Sequence, residues 1–240
     1  MSKGIIEICC NSLQSALNAQ EAGADRIELC SGLIEGGVTP SLGLIEEVVS
    51  QLQIPVYVLV RPRGGDFCFT NDEFKVMLRD IEWCKQSGVK GIVSGALTPH
   101  REIDSERMPV LINATENMDF TFHRAFDVLK NPFDELEQLK SYGCNRILTS
   151  GGRETAYDGI ENISLLVKEF PGQVSIMPGG GVNEENIREI ILTTGINEIH
   201  FSASVGVTAY PVPGLEQFTT VTDFERVLNM ISLARQAFAK

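Results

Sequence analysis

The stretch Gly-Ala-Asp-Arg-Ile at residues 23–27 is the first of four copies of one sequence pattern, and this pattern decides the fold. The other copies read Gly-Val-Lys-Gly-Ile at 88–92, Gly-Cys-Asn-Arg-Ile at 143–147 and Gly-Ile-Asn-Glu-Ile at 195–199. Each glycine follows a helical pattern, where a left-handed C-terminal cap is favoured, and each isoleucine lies in a short aliphatic run. The pattern therefore marks four junctions between a helix and a strand.

These junctions belong to a longer alternation of strands and helices. Short aliphatic runs predict eight strands, at Ile5–Cys9, Arg26–Cys30, Val56–Arg61, Gly91–Ser94, Phe120–His123, Arg146–Thr149, Ser175–Met177 and Glu198–Phe201. Longer amphipathic patterns predict eight helices, at Ser12–Ala22, Ser41–Leu52, Asn71–Ser87, Asp104–Asn117, Pro132–Tyr142, Gly159–Phe170, Asn183–Thr194 and Asp223–Ala239. Strict alternation implies parallel strands joined by crossover helices.

The spacing of the four copies favours a closed barrel over an open doubly wound sheet. Their glycines are 65, 55 and 52 residues apart. Eight units in a chain of 240 residues average about 30 residues each, so the copies mark every second strand. We therefore predict an α/β fold, a single-domain TIM (β/α)8 barrel that spans residues 1–240.

Composition and charge narrow the class of protein. The chain is 43% hydrophobic and 22% charged, which is typical of a globular protein, and no apolar run approaches the roughly 18 residues of a membrane helix. A net charge of −12 argues against a nucleic-acid partner. Six cysteines without a C-x-x-C pattern or a secretory signal predict a reducing, cytoplasmic setting. We expect a homodimer or higher homo-oligomer, because most oligomers of soluble proteins are homo-oligomers, and we predict no organic cofactor.

The repeat also predicts which side chains face the barrel axis. The repeated isoleucines would face the outer helices, and Glu28, Val93, Leu148 and His200 would face inward. Two residues further on, Cys30, Gly95, Ser150 and Ser202 would form an upper interior layer. The carboxyl ends of the strands build the active sites of such barrels, so we place the functional site there.

Cys9 and Cys30 stand at matching heights on the first two predicted strands. Neighbouring strands lie about 4.8 Å apart, so the two thiols could share one ion. Two soft thiolates favour Cu(I), with Zn(II) as a second choice. The alternative is that both cysteines only fill space in the barrel interior.

Glu7 and Glu28 are predicted to face inward with His123 and His200 nearby. Buried carboxylates need counter-ions, and we expect Arg61, Arg63 and Arg124 to supply them. Such a set could transfer protons during catalysis. It could equally be a salt-bridge network that only plugs the barrel.

Other residues near the predicted strand ends could hold an anion. Arginines and aspartates cluster after the third and fifth strands, at Arg61, Arg63, Asp66, Arg124 and Asp127. Gly179, Gly180 and Gly181 follow the seventh strand and Ser202 follows the eighth, and the loops after these two strands commonly bind phosphate through backbone N–H groups. Ser150 lies in the Thr149–Gly152 loop after the sixth strand, where we expect further free N–H donors. The glycines could instead serve only tight turns.

Six stretches resemble the CutC copper-homeostasis family. They are E-I-C-C-N-S at 7–12, G-A-D-R-I-E-L-C at 23–30, E-G-G-V-T-P-S-L-G at 35–43, R-P-R-G-G-D-F-C-F at 61–69, T-F-H-R-A-F-D at 121–127 and R-I-L-T-S-G-G at 146–152. The resemblance implies a cytoplasmic barrel protein that handles copper, with Cys9 and Cys30 matching the proposed Cu(I) ligands. It fades over residues 205–240.

Two functions from different classes remain open at this point. The first is Cu(I) binding in copper homeostasis, through the paired cysteines. The second is a barrel enzyme of lyase, isomerase or hydrolase type that acts on a small anionic or phosphorylated metabolite. In that enzyme Glu7, Glu28, His123 or His200 would move protons. A scaffold with a vestigial site is a third alternative, which would need a large apolar surface patch.

Overall fold

The computed structural model describes residues 4–207 and 219–240, and its centre is a nearly closed barrel of eight parallel strands. These strands are β1 (Ile5–Cys10), β2 (Arg26–Leu29), β3 (Val56–Leu59), β4 (Gly91–Ser94), β5 (Asp119–Phe122), β6 (Arg146–Thr149), β7 (Ser175–Pro178) and β8 (Glu198–Phe201). Each strand pairs with its sequence neighbours from β1 to β7, and β8 pairs with β1. No hydrogen-bonded ladder joins β7 to β8 among the described residues, so one seam stays open. The predicted TIM-barrel fold is confirmed.

Within residues 4–207 and 219–240, eight α-helices connect the strands or follow the last one. They are α1 (Leu13–Glu21), α2 (Leu42–Gln51), α3 (Asn71–Gln86), α4 (Arg107–Thr115), α5 (Pro132–Ser141), α6 (Ile160–Glu169), α7 (Ile187–Thr194) and α8 (Phe224–Phe238). Two of them, α4 and α7, begin three or four residues later than predicted. The side chains of Asp104 and Asn183 accept nearby backbone N–H groups, and such local bonds compete with the first helical turn.

The repeat glycines close the helices as expected. Gly23, Gly88, Gly143 and Gly195 have φ values of +94°, +84°, +93° and +67°. This left-handed conformation costs little only for glycine, so it turns the chain sharply from each helix into the next even-numbered strand. The isoleucine of each copy is fully buried between the sheet and the helices.

A hairpin near the C-terminus was not predicted. Its strands are β9 (Ser204–Val207) and β10 (Thr219–Thr222), which pair in antiparallel fashion. The Asn11 amide donates to Thr220, and the Ser15 hydroxyl accepts the N–H of Thr222, so β10 is held beside α1. The segment between the two strands, 208–218, lies outside the described residues.

The amino-terminal half of the barrel interior is filled by charged side chains. Arg26 donates to Glu7 and, at 2.6 Å, to Glu198, and Arg146 binds the same Glu198 oxygen at 2.5 Å. Both guanidinium groups lie over the ring of Tyr57, at 4.7 and 5.4 Å from its centre. We refer to these five residues as the ionic layer. It closes the barrel from below.

A glycine makes room for this layer. A Cβ atom at Gly91 would stand only 2.5 Å from the Tyr57 ring, so any side chain there would collide with it. Gly91 occupies the position in its repeat that holds Arg26, Arg146 and Glu198 in the other three copies. The same alternation that places the isoleucines outside therefore places this fourth position on the axis.

We expect Arg26→Met to lower the free energy of unfolding by about 3–5 kcal/mol, because it leaves two buried carboxylates without their shared cation. Urea unfolding at pH 7 measures the change. Lys75→Ala, which removes an exposed ion pair with Asp72, is the control and should cost less than about 0.5 kcal/mol. Equal losses in the two variants would contradict the role given to the ionic layer.

Candidate functional site

A cavity of about 300 Å³ opens at the carboxyl ends of the strands, directly above the ionic layer. Residues from β1, β2 and β8 and from the segments after β3, β5 and β7 line it. Those that carry chemistry include Cys9, Glu28, Cys30, Arg61, His123 and His200. The position matches the face on which barrels of this fold build their active sites.

Most of the predicted site residues contact this cavity, and six do not. Arg124, Gly180, Gly181 and Ser202 line it together with the six residues just named. Glu7, Arg63, Asp66, Asp127, Ser150 and Gly179 do not line it.

Cys9 and Cys30 lie side by side at one wall of the cavity. Their sulfur atoms are 3.7 Å apart, both residues are buried, and neither forms a disulfide. The hydrogen bond between the thiols, together with burial, raises the pKa of Cys9 well above its ordinary value. Cys10 points the opposite way into the packing between sheet and helices, where Cys84 and Cys144 also lie. The two thiols are therefore neighbours, as the sequence predicted. The matching height was wrong, because the strand register pairs Cys9 with Glu28, two residues before Cys30.

His200 links two buried glutamates below the thiols. Its Nδ1 lies 2.7 Å from Glu7 and its Nε2 lies 3.6 Å from Glu28. Burial opposes a charge on His200, but hydrogen bonds to Cys9 and Glu7 and the charges of both carboxylates outweigh it and raise its pKa well above the ordinary value. Burial raises the pKa of Glu28. A protonated imidazole is thus favoured between the two carboxylates.

The predicted counter-ions of these glutamates were wrong. Glu7 pairs with Arg26 and His200, and Glu28 has His200 as its ion-pair partner. Arg61, Arg63 and Arg124 belong to the loops above the cavity rather than to the barrel interior. Arg26 and His200 replace them. Arg26 stands two residues before Glu28 on the same strand, so the inward register of the repeat was the signal that made it a candidate.

His123 offers one hydrogen-bond donor to the cavity. Its Nδ1 accepts the N–H of Ala125 at 3.3 Å, and its Nε2 is buried without a partner among the described residues. Burial and the charge of Arg61 lower the pKa of His123 to about 3. The ring is therefore neutral at pH 7 with its proton on Nε2, because Nδ1 is already an acceptor.

Arg61 brings a buried positive charge to the cavity. Its terminal nitrogens donate to the carbonyl oxygens of Glu35, Gly37 and Gly65, at 2.6 to 3.0 Å. Its Nε is buried without a partner in the described part of the chain. Burial, and then the charge of Arg63, lower the pKa of Arg61. Backbone carbonyls fix this guanidinium in place without neutralising it.

Arg63 and Asp66 lie away from the cavity. Arg63 pairs with Glu73 at 2.7 Å and with Asp66 at 3.0 Å, and it also donates to the carbonyl of Cys68. These contacts join the loop after β3 to the start of α3. Arg63 and Asp66 therefore stabilise this loop and do not line the cavity.

Asp127 occupies the loop in which free N–H donors were expected. Its carboxylate accepts the N–H groups of Ser150 and Gly152 and the hydroxyl groups of Thr149 and Ser150. The expectation of free donors in the Thr149–Gly152 loop was therefore wrong. A carboxylate of the chain itself already fills the place of an external anion. Arg124 completes this cluster, at 2.8 Å from Asp127.

The glycines after β7 divide between packing and the cavity. Gly179 donates its N–H to Thr149, and a Cβ atom there would stand 2.6 Å from Leu148. Gly180 and Gly181 line the cavity, and their N–H groups donate to none of the described residues. Ser202 lines it as well, with its hydroxyl 3.3 Å from that of Ser204. The N–H groups of Gly180 and Gly181 are therefore the donors that this side of the cavity offers to an anion.

Sequence reasoning missed the wall formed by the loop after β2. Leu33, Gly36 and Gly37 of this loop line the cavity. Beside them, Phe67 from the segment after β3 also lines it and packs its ring 4.7 Å from that of His123. Gly37 has a φ of +89°, and a Cβ atom there would meet Leu59. The glycine pair at 36–37 was the available signal for this close approach.

Comparison with known proteins identifies the class of this barrel. The model of the CutC family matches residues 4–205. A CutC family protein of Glaesserella parasuis is 48% identical over 198 residues, which are 82% of each chain. The human copper homeostasis protein cutC homolog is 45% identical over 199 residues, which are 83% of this chain and 73% of the human one. The chain belongs to the CutC family.

Solved structures agree with the fold. A crystal structure of CutC from Streptococcus agalactiae superposes with a TM-score of 0.79 at 34% identity, and covers 83% of this chain and 98% of its own. N-(5'-phosphoribosyl)anthranilate isomerase from Pyrococcus furiosus gives a TM-score of 0.61 at 17% identity, with 97% and 99% covered. The second likeness concerns the fold alone. Among the helices described, none is long and apolar enough to span a membrane.

The ion pairs of Glu7 with Arg26 and His200 predict how the free energy of unfolding depends on pH. Burial opposes ionisation of Glu7, but Arg26 and His200 outweigh it and hold the pKa of Glu7 well below its ordinary value of 4.5. The unfolded chain therefore binds a proton at a higher pH than the folded one does. Stability from this group is present above about pH 4.5 and is lost as the pH falls.

We accordingly expect the free energy of unfolding to fall with pH below about 4.5, and to fall less steeply in Glu7→Gln. Urea unfolding between about pH 3 and pH 6 measures both slopes. Glu154→Gln, at an exposed position, should keep the wild-type dependence. An unchanged slope in Glu7→Gln would refute the assignment.

Proposed function

We propose that this chain acts in the cytoplasm in copper homeostasis and binds Cu(I) through Cys9 and Cys30. The observation that carries the proposal is the pair of buried sulfur atoms 3.7 Å apart at the wall of an open cavity. Thiolates are soft ligands that select Cu(I) over hard cations. Burial keeps the bound ion from solvent, while the cavity gives it a path of entry.

Membership of the CutC family supports a role in copper homeostasis. The chain belongs to the CutC family, and the human relative carries copper homeostasis in its name. Both thiols must lose their protons when an ion binds, so affinity is expected to rise with pH.

Titration with Cu(I) against a chromophoric Cu(I) chelator, under anaerobic reducing conditions, tests the proposal. We expect about one Cu(I) per chain in the wild type, and none at the same chelator concentration in Cys9→Ala plus Cys30→Ala, which lacks both soft ligands.

The matched control is Cys84→Ala plus Cys144→Ala, which removes two thiols from the packing between sheet and helices. It should bind Cu(I) as the wild type does. Full binding in the Cys9 and Cys30 double variant would refute the proposal.

A second candidate is an enzyme of lyase, isomerase or hydrolase type that acts on a small anionic or phosphorylated metabolite. The observation that favours it is the buried Arg61 guanidinium, whose Nε faces no partner, beside the unpartnered Nε2–H of His123. A buried donor without an acceptor costs free energy, and an anion in the cavity would satisfy both. A protein that only carried copper on two thiols would not require Arg61 and His123 at the cavity.

Thermal unfolding in the presence of phosphorylated and carboxylated metabolites tests this candidate. A ligand that binds should stabilise the wild type by about 2.7 kcal/mol at one hundred times its Kd. We expect Arg61→Gln to lose that gain. Arg63→Gln, whose guanidinium lies outside the cavity, is the control and should keep it. Equal stabilisation of Arg61→Gln and the wild type would exclude an anion site at Arg61.

A further inference from the structure

We propose that Glu28 and His200 complete the cysteine pair as a tetrahedral four-donor site that takes Zn(II), with Cu(I) as its competitor. The inference rests on the thiol pair of the proposed function and adds a second ion and two further ligands. One oxygen of Glu28, one nitrogen of His200 and the sulfur of Cys9 all lie within 4.8 Å of one another, and all three residues are buried.

The distance between the sulfur atoms fits tetrahedral rather than linear coordination. Two bonds of about 2.3 Å at a tetrahedral angle place the sulfurs about 3.8 Å apart, whereas a linear pair of such bonds needs about 4.6 Å. The observed separation is 3.7 Å. An ion with more than two ligands can therefore bind without moving β1 from β2.

The other two donors have a matching separation. Zn–N and Zn–O bonds of about 2.0–2.1 Å at a tetrahedral angle place the donor atoms about 3.4 Å apart. The Nε2 of His200 and the carboxylate of Glu28 are 3.6 Å apart. Both donors lie within 4.8 Å of the Cys9 sulfur, so three of the four donors already surround one point. Cys30 lies outside this group of three, and its thiol, 3.7 Å from that of Cys9, would join them by a movement of its own side chain.

Glu7 orients the imidazole for this role. A carboxylate only accepts hydrogen bonds, so Nδ1 of His200 donates to Glu7 at 2.7 Å, and Nε2, on the side of Glu28, is the nitrogen left to bind an ion, with its proton released to solvent. Histidine ligands of metal sites commonly donate their other N–H to a carboxylate in this way. Glu7 is fully buried and is itself held by Arg26, so the ring is fixed before an ion arrives. Glu7 is a positioning residue.

Charge favours a divalent ion once Glu28 takes part. Two thiolates and one carboxylate carry three negative charges, and a divalent cation leaves one of them uncompensated where Cu(I) leaves two. Uncompensated charge in a buried site is costly. The mixed set of sulfur, nitrogen and oxygen donors also suits Zn(II), whereas Cu(I) needs only the two sulfur atoms.

Parallel titrations of the whole chain with Zn(II) and with Cu(I), each against a chelator, test the inference. We expect the wild type to bind about one Zn(II), and His200→Ala and Glu28→Gln each to lower the Zn(II) affinity by more than about tenfold. The Cu(I) affinity of both variants should change by less than about threefold, since both keep the thiolate pair.

His100→Ala, which changes an exposed histidine outside the cavity, is the control and should keep both affinities. In a parallel sample, Co(II) in place of Zn(II) should give the visible absorption of a tetrahedral site with sulfur ligands, altered in His200→Ala. Urea unfolding of the ion-free variants verifies that each one is folded.

The outcomes separate the two proposals. Wild-type binding of Cu(I) without Zn(II), or Zn(II) affinities unchanged in both variants, would overturn this inference and leave the proposed function standing. Zn(II) binding that depends on His200 and Glu28 without any Cu(I) binding would support the inference and refute the proposed function. Binding of neither ion would refute both.

Discussion

The guanidinium of Arg26, held between the carboxylates of Glu7 and Glu198, is the contact on which the interior of this barrel depends. Eight short strands enclose too narrow a space for free water and too many charges for an apolar core. Arg26 resolves the conflict because one planar cation satisfies two buried anions. Arg146 and the Tyr57 ring then fill the remaining volume. These paired charges form the floor of the cavity.

Above that floor the cavity has two chemically different walls. One wall holds the thiols of Cys9 and Cys30 over the pair of Glu28 and His200, and these groups suit a cation. The other holds Arg61 and the neutral His123, which suit an anion.

The local sequence pattern was sufficient to predict the strands and the side of the sheet that each residue of the repeat faces. The glycine caps follow from the ends of the helical patterns, whereas the buried isoleucines and the neighbouring cysteines follow from a period of two along a strand and from parallel pairing. The ion-pair partners were misjudged for a different reason. The inward register of β2 made Arg26 a candidate counter-ion for Glu7 alongside Arg61, and only the depth of each residue along the barrel axis decides between the two. Likewise Asp127 lies 23 residues before Ser150, and no local signal shows that its carboxylate fills the loop of the next strand.

The sequence by itself determined the barrel, its interior register and the juxtaposition of Cys9 with Cys30, because a repeated turn and an alternating strand leave little freedom. The tertiary structure decided which charges pair, which donors remain free and which residues join the thiols. Those outcomes depend on distances between side chains that come from different strands. His200 and Glu7 are separated by 193 residues in the chain and by 2.7 Å in the barrel. Closure of the barrel creates that contact, since β8 pairs with β1.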